Sequence, residues 1–350
     1  MNANVPDWLR NGVVPLAADN FTPLSRTPWA GRTIGERYKR HAVSRAAGMA
    51  IGESWEFSCE PAFPSRLAGR PGTLSDAFKA LGQPEAQILV KLLNAAEPLS
   101  LQLHPTDDDP ALKPGECGKP ESWLVLDAEP GAGIYLGFSR AVSREELRRA
   151  IEAGGGAVRD LLHLEVVRPG DYFEIEPGVT HSIGPGVTLL EPQRVLAGKN
   201  GVTLRLWDWD RRYDRNGQPD PAGEPRALHV DAGLRLADPE RQVGAAFAAS
   251  LKKLPVVSAI GGFSVGAYPA NRYYQTLHVR AAAGARAMLR LANGYAAVVT
   301  LTGDLQFGPT RLRGGEPGLL PPQNTLVTAV APSEFALVLP ASATVHWETP

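Results

Sequence analysis

Cysteine is nearly absent: Cys59 and Cys117 are the only two among 350 residues. Two thiols cannot make a disulfide framework for so long a chain, so a reducing compartment, the cytoplasm, is expected. Net charge is nearly absent as well, −1 from 36 basic and 37 acidic residues. No bulk field therefore draws the chain to nucleic acid or to an anionic membrane. No apolar run approaches the ~20 residues a membrane helix needs. The opening residues have no basic start followed by an apolar stretch, so no signal peptide is expected. No fixed-period repeat or low-complexity tract is evident. What remains is an ordinary soluble protein with one large domain or two compact ones, expected as a monomer or weak homodimer. The run RLWDWDRRYDR at 205–215 interleaves basic and aromatic residues as nucleic-acid binders do. Its Asp208, Asp210 and Asp214 nearly cancel the charge, which argues against that use.

Glycine (36) and proline (31), by contrast, are plentiful and punctuate short runs of alternating apolar character. That pattern predicts a mainly β protein with a few short helices. One helix is expected near 75–82. A second should follow Ser143, where Ser143 and Glu146 read as a capping box, with Leu147, Ala150 and Ile151 on one face and a stop at Gly154. A third is expected within 228–238. The stretch from Glu85 into Leu89–Leu93 is open between helix and strand. The polar segment 210–226 reads as an exposed linker. Beyond about residue 254 the alternation resumes, at 276–283, 286–303, 324–330 and 335–342. With turns at Asn293-Gly294 and Thr302-Gly303-Asp304, it suits a second, smaller barrel.

Four residues of the first half have the chemistry of a single divalent-metal site: Gln102 and His104 in SLQLHP (100–105), Glu121 in GKPESW (118–123), and His181 in GDYFEIEPGVTHSIG (170–184). Side chains on a strand alternate faces, so Gln102 and His104 project to the same side. Imidazole, carboxylate and amide oxygen suit Zn²⁺ or a similar ion with a position left open for substrate. Each residue also has a plainer reading. A lone strand histidine is more often a structural hydrogen-bonder, Glu121 beside Pro120 could be a turn carboxylate, and His181 could be a loop residue. Their order and spacing join them: polar-x-His, then Glu, then a glycine-rich hairpin ending in His.

That order resembles the cupin barrel, whose second motif runs from Gly through a short strand to Pro-x-Gly-x-x-His. Gly170, Gly178 and His181 keep its spacing, with the proline displaced by one place to Pro177. A narrower resemblance is to type I mannose-6-phosphate isomerases of the compact bacterial form. It rests on the runs IGESWEFS (51–58), LVKLLNAAEPLSLQLHP (89–105), GKPESWLVLDAEPGAGIYLGF (118–138), PGDYFEIEPGVTHSIGPGVTLLEPQ (169–193) and LRLWDWDRR (204–212). The resemblance implies two cupin-type jelly-roll β-barrels, a metal-binding one over 1–235 and a metal-free one over 236–350, in which His278 and His346 are structural. It implies one Zn²⁺ per chain on Gln102, His104, Glu121 and His181. The activity implied is interconversion of mannose 6-phosphate and fructose 6-phosphate through a cis-enediol, with a small phosphosugar as the partner.

In that reading Arg205 and Lys119 are the catalytic cations. Arg205, permanently charged, suits oxyanion or phosphate contact better than proton abstraction; its plainer reading is a strand arginine paired with Asp208 or Asp210. Glu191 is expected in the sugar pocket as an alternative base. Lys91 and Ser100 could hold the phosphate, or could be a snorkelling lysine and a strand-entry serine. The stretch between Glu191 and Arg205 departs from the family pattern and adds Arg194 and Lys199, which bears on sugar specificity. A non-catalytic cupin that senses a sugar or sugar phosphate is the competing reading.

Overall fold

The computed structural model describes residues 5–350. It is mainly β, with 41% of residues in strands and 14% in helices. Seven strands carry the residues that matter below. They are β1 (Glu53–Phe57), β2 (Ile88–Asn94), β3 (Leu101–Leu103), β4 (Glu121–Ala128), β5 (His181–Ile183), β6 (Val187–Arg194) and β7 (Leu204–Trp207).

Two antiparallel sheets build the first part. One has the order Lys252–Lys253, Tyr172–Ile175, β4, β6, β2, β1; the other runs β7, β3, β5, Gly133–Phe138, Leu162–Val166. The chain crosses between them repeatedly, so neighbours in sequence face each other across a shared core. Leu93, Val125, Phe173 and Leu189 from one sheet pack there against Ile134, Leu136 and Ile183 from the other. The β2 strand is buried along its whole length. A strand buried on both faces shows no alternation to read, which is why Leu89–Leu93 stood open between helix and strand.

A ten-stranded sheet takes up the chain from Val256 to Glu348 and also recruits Val14–Pro15 near the amino end. Its centre is one 17-residue strand, Asn324–Pro340, where the sequence suggested two. The turn expected at Thr302-Gly303-Asp304 is instead an irregularity inside the strand Ala296–Phe307. Gly303 has φ +84°, and a Cβ there would lie 2.3 Å from the Pro332 carbonyl oxygen, so glycine lets the strand bulge without turning back. Asn293, at φ +60°, does turn the chain between two successive strands, Arg286–Ala292 and Ala296–Phe307.

Helices occupy Leu74–Leu81, Arg144–Ala153 and Val230–Leu236, near their expected positions. Ser143 caps the second by accepting from the Glu146 backbone N–H, but the Glu146 carboxylate takes Arg140 instead of closing a capping box. The full box belongs to Thr73 and Asp76 at the first helix. No helix among the described residues is long and apolar enough to cross a membrane.

Candidate metal centre and its cleft

The site lies between the two sheets of the first part. His181 on β5 is the direct cross-strand partner of Gln102 on β3, and Gln102 is flanked on its other side by Arg205 on β7. Glu121 opens β4 in the opposing sheet, where it pairs with Gln193 on β6. His104 follows immediately after β3. These placements bring one carboxylate oxygen of Glu121 and a ring nitrogen of each histidine within 4.8 Å of one another. His104 and His181 are 0% exposed and Glu121 is 2% exposed.

Hydrogen bonds orient both rings. His104 Nδ1 is 3.0 Å from the Val202 carbonyl and His181 Nδ1 is 2.9 Å from that of Val179. A carbonyl only accepts, so each Nδ1 donates to it and each Nε2 is turned toward Glu121. Those nitrogens stand 3.2 and 3.3 Å from the two oxygens of Glu121. Burial, followed by the nearby Lys119 ammonium, pushes His104 down to about 3, so no imidazolium proton fills the gap. His104 Nε2 and Glu121 Oε1 are buried without a hydrogen-bond partner. Acceptors converging on one another without a donor are costly in isolation and fit a cation between them.

Gln102 faces the same place, its Nε2 3.4 Å from His181 Nε2, while Ser100 Oγ donates to its Oε1 at 3.0 Å. Turning the amide over would direct oxygen at the centre and leave Ser100 Oγ as an acceptor, a hydrogen-bond scheme of equal quality. The group would then be two imidazoles, one carboxylate and one amide oxygen. Among the described residues this is the one cluster of three or more metal-binding side chains. His278 instead contacts Glu334 at 2.7 Å, and His346 sits in the strand Thr344–Glu348.

Above the centre is a cleft of about 210 Å³. Gln102, Lys119, Glu191, Lys91, Ser100 and Arg205 all line it, so every sequence-derived site residue is either at the metal centre or on this wall. Lys119 Nζ is 3.2 Å from Glu121 Oε2. Burial acts to lower this ammonium, but the carboxylates of Glu121, Glu191 and Glu53 outweigh it and keep it protonated above its ordinary range. Burial, reinforced by the Glu121 charge, pushes the Glu191 carboxyl up to about 7. Trp123 Nε1 and Gln193 Nε2 donate to its two oxygens at 3.0 and 2.6 Å. Lys91 Nζ lies between Glu53 (3.8 Å) and Glu191 (3.7 Å).

Arg205 is not paired with Asp208 or Asp210. Asp208 accepts from Arg211 and Arg226, and Asp210 from Trp207 Nε1 and the Gly155 backbone. One Arg205 nitrogen donates to the Ala227 carbonyl at 3.0 Å, and its buried Nε has no acceptor. The segment 210–226 is therefore more than a linker. It closes a two-strand ladder through Arg212–Tyr213 and Glu224–Pro225, buries Tyr213, and delivers Arg226 to the cleft. Arg194 turns out to be tied to Asp107 and lies over the Tyr273 ring, while its neighbours Gln193 and Val195 line the cleft. Sequence reasoning also passed over Arg26, Glu53 and Trp55 on this wall. IGESWEFS had marked the last two only as part of a matching run, with no charge pattern to single them out.

No family model matches the chain. It is 33% identical over 205 residues to the mannose-6-phosphate isomerase ManA of Bacillus subtilis, a match covering 54% of this chain and 61% of that protein. It is 37% identical over 147 residues to the mannose-6-phosphate isomerase of Streptococcus mutans, covering 42% of each. The chain thus spans less than two thirds of the length of these curated relatives. Among solved structures, the mannose 6-phosphate isomerase from Bacillus subtilis superposes with a TM-score of 0.73 at 22% identity, over 94% of this chain and 99% of that one. Its fold is that of the mannose-6-phosphate isomerases. A putative mannosephosphate isomerase from Archaeoglobus fulgidus agrees, with a TM-score of 0.62 at 19% identity over 97% and 99% of the two chains. The mannose-6-phosphate isomerase resemblance read from the sequence runs is thereby matched in both sequence and architecture.

Proposed function

We propose that the chain is a metal-dependent aldose–ketose isomerase interconverting mannose 6-phosphate and fructose 6-phosphate through a cis-enediol. The observation that carries this reading is the convergence of two buried imidazole nitrogens on the Glu121 carboxylate beneath a cleft rich in cations. The relatives' names supply the substrate. Gln102, His104, Glu121 and His181 would hold one ion, for which the mixed nitrogen and oxygen donors favour Zn²⁺. When bound, such an ion supplies Lewis-acid polarisation of sugar oxygens.

The rest of the chemistry falls to side chains. The reaction must move a proton between C1 and C2 of the sugar. Glu191 is suited to take it from one carbon and return it at the other, because its carboxyl is pushed up to about 7 and can both give and accept near neutrality. Trp123 and Gln193 fix its orientation. Lys119, kept charged, and Arg205, with its Nε lacking an acceptor, stabilise negative charge on the enediolate oxygens. Lys91 and Ser100 orient substrate oxygens.

A coupled assay for fructose 6-phosphate, run with and without chelator, tests the reading. Turnover abolished by chelator and restored by Zn²⁺ is expected. Chelator-insensitive sugar binding without turnover would instead make the chain a sensor.

A further inference from the structure

Five cationic side chains line the cleft: Arg26, Lys91, Lys119, Arg205 and Arg226. Three are already engaged by carboxylates. Lys91 sits between Glu53 and Glu191, Lys119 contacts Glu121, and Arg226 forks onto both oxygens of Asp208 at 2.7 and 2.5 Å. Arg205 belongs to the metal side, as the cross-strand neighbour of Gln102. That leaves Arg26. Its guanidinium makes no hydrogen bond or ion pair among the described residues, and Glu60, which shares its wall, stays beyond ion-pair distance.

Aromatic rings hold Arg26 in place instead of a carboxylate. Its guanidinium carbon lies 5.1 Å from the ring centre of Trp55 and 5.1 Å from that of Phe63. Lys91 Nζ lies over the same Trp55 ring at 4.5 Å. Trp55 is itself only 1% exposed, and its Nε1 donates to Glu53 at 2.8 Å, so the platform cannot swing away. Contact through ring faces restrains a guanidinium while leaving its in-plane N–H donors free for a doubly negative, oxygen-rich group. Two cations over one indole repel each other, and an anion shared between them removes that repulsion.

The sheet order sets where this happens. Trp55 is on β1 and pairs with Lys91 on β2, which pairs with Glu191 on β6, which neighbours Glu121's strand β4. Three strand spacings of ~4.8 Å place β1 roughly 14 Å from β4. Arg26 thus guards the end of the cleft away from the metal centre, and Arg205 the end beside it.

Resting on the isomerase reading, we propose that Arg26, held on Trp55 and Phe63, binds the phosphate of the sugar phosphate and selects for phosphorylated substrates. Arg26 belongs to a segment, Pro23 to Thr27, whose sequence suggested no role. Phosphate binding also accounts for an exposed arginine that faces the cleft without an ion pair of its own, Glu53 and Glu60 acting on it only at longer range.

The test uses the metal-loaded protein and its Arg26→Ala and Arg26→Lys variants. Inorganic phosphate binding is measured by calorimetry, and KM and kcat for mannose 6-phosphate by coupled assay. Losing one charge-assisted contact predicts KM and phosphate Kd weakened together by about 10–100-fold, with kcat nearly unchanged. Arg26→Lys should recover part of the loss, keeping the charge without the fork. Melting temperature should hold, because the side chain is exposed. Unchanged KM and phosphate Kd, a loss confined to kcat, or a wild type that binds no phosphate would each overturn the proposal. If the wild type binds phosphate but does not isomerise the sugar, the isomerase reading fails separately, and calorimetry still decides the role of Arg26.

Discussion

His104 Nε2 faces Glu121 Oε2 at 3.2 Å, both buried, with the ring's one proton already committed to the Val202 carbonyl on its far side. Two acceptors held that close are stable only with a positive charge between or beside them, and Lys119 reaches Glu121 from one side alone. His104→Ala and His181→Ala should therefore lose bound metal and turnover together. Elemental analysis beside the coupled assay checks this. His278→Ala, at a histidine occupied by Glu334, should change neither; metal loss in that variant would contradict the assignment.

Glu191 gives a signed pH effect on the metal-free protein. Its carboxyl lies at about 7 in the folded chain, against 4.5 for the ordinary group. A raised folded-state pKa contributes stability that is full below about 4.5 and is lost as pH rises through about 7. Thermal melts between pH 5 and 8 should therefore fall more steeply for wild type than for Glu191→Gln. Parallel curves would count against the raised carboxyl. In the loaded enzyme the same substitution should lower kcat by ~10²–10⁴-fold while leaving KM within a small factor.

Tyr274 links the ten-stranded sheet to the site. Its hydroxyl donates to the Pro192 carbonyl at 2.9 Å and lies 3.0 Å from Ser122 Oγ, next to Gln193 and Glu121 respectively. Tyr274→Phe leaves buried partners unsatisfied, at about 1–3 kcal/mol. Chemical denaturation should read that loss, and kcat should fall by more than the folded fraction explains. A full-rate variant would limit Tyr274 to stability.

Lys39 and Glu56 form an ion pair at 2.6 Å, 0% and 1% exposed, and Lys39 also donates to the Gly315 carbonyl across to the ten-stranded sheet. Breaking one partner strands a charge, so Lys39→Met should cost about 3–5 kcal/mol. The double change Lys39→Met with Glu56→Leu should recover much of it. If the double variant is no better than the single one, the cost lies in the lost Gly315 bond instead.

Local signals carried much of the architecture. Alternating apolar runs between glycines and prolines identified a mainly β chain, and Ser143 and Gly154 bounded a helix correctly. Period failed where burial is complete, as along β2, and turn chemistry misled at Gly303, where the strand bulges and continues.

At the site, the sequence by itself determined the candidate donors: Gln102 and His104 lie two places apart, within and just past one strand, and His181 follows a turn that glycine and proline shape. The tertiary structure alone decided how those donors are charged and which cations remain free. Strand pairing sets Lys91 against Glu191, and loops folded onto the sheets bring Arg226 to Asp208 and Arg26 to the Trp55 platform. Electrostatic energy depends on separation and burial, and neither can be read from positions along a chain.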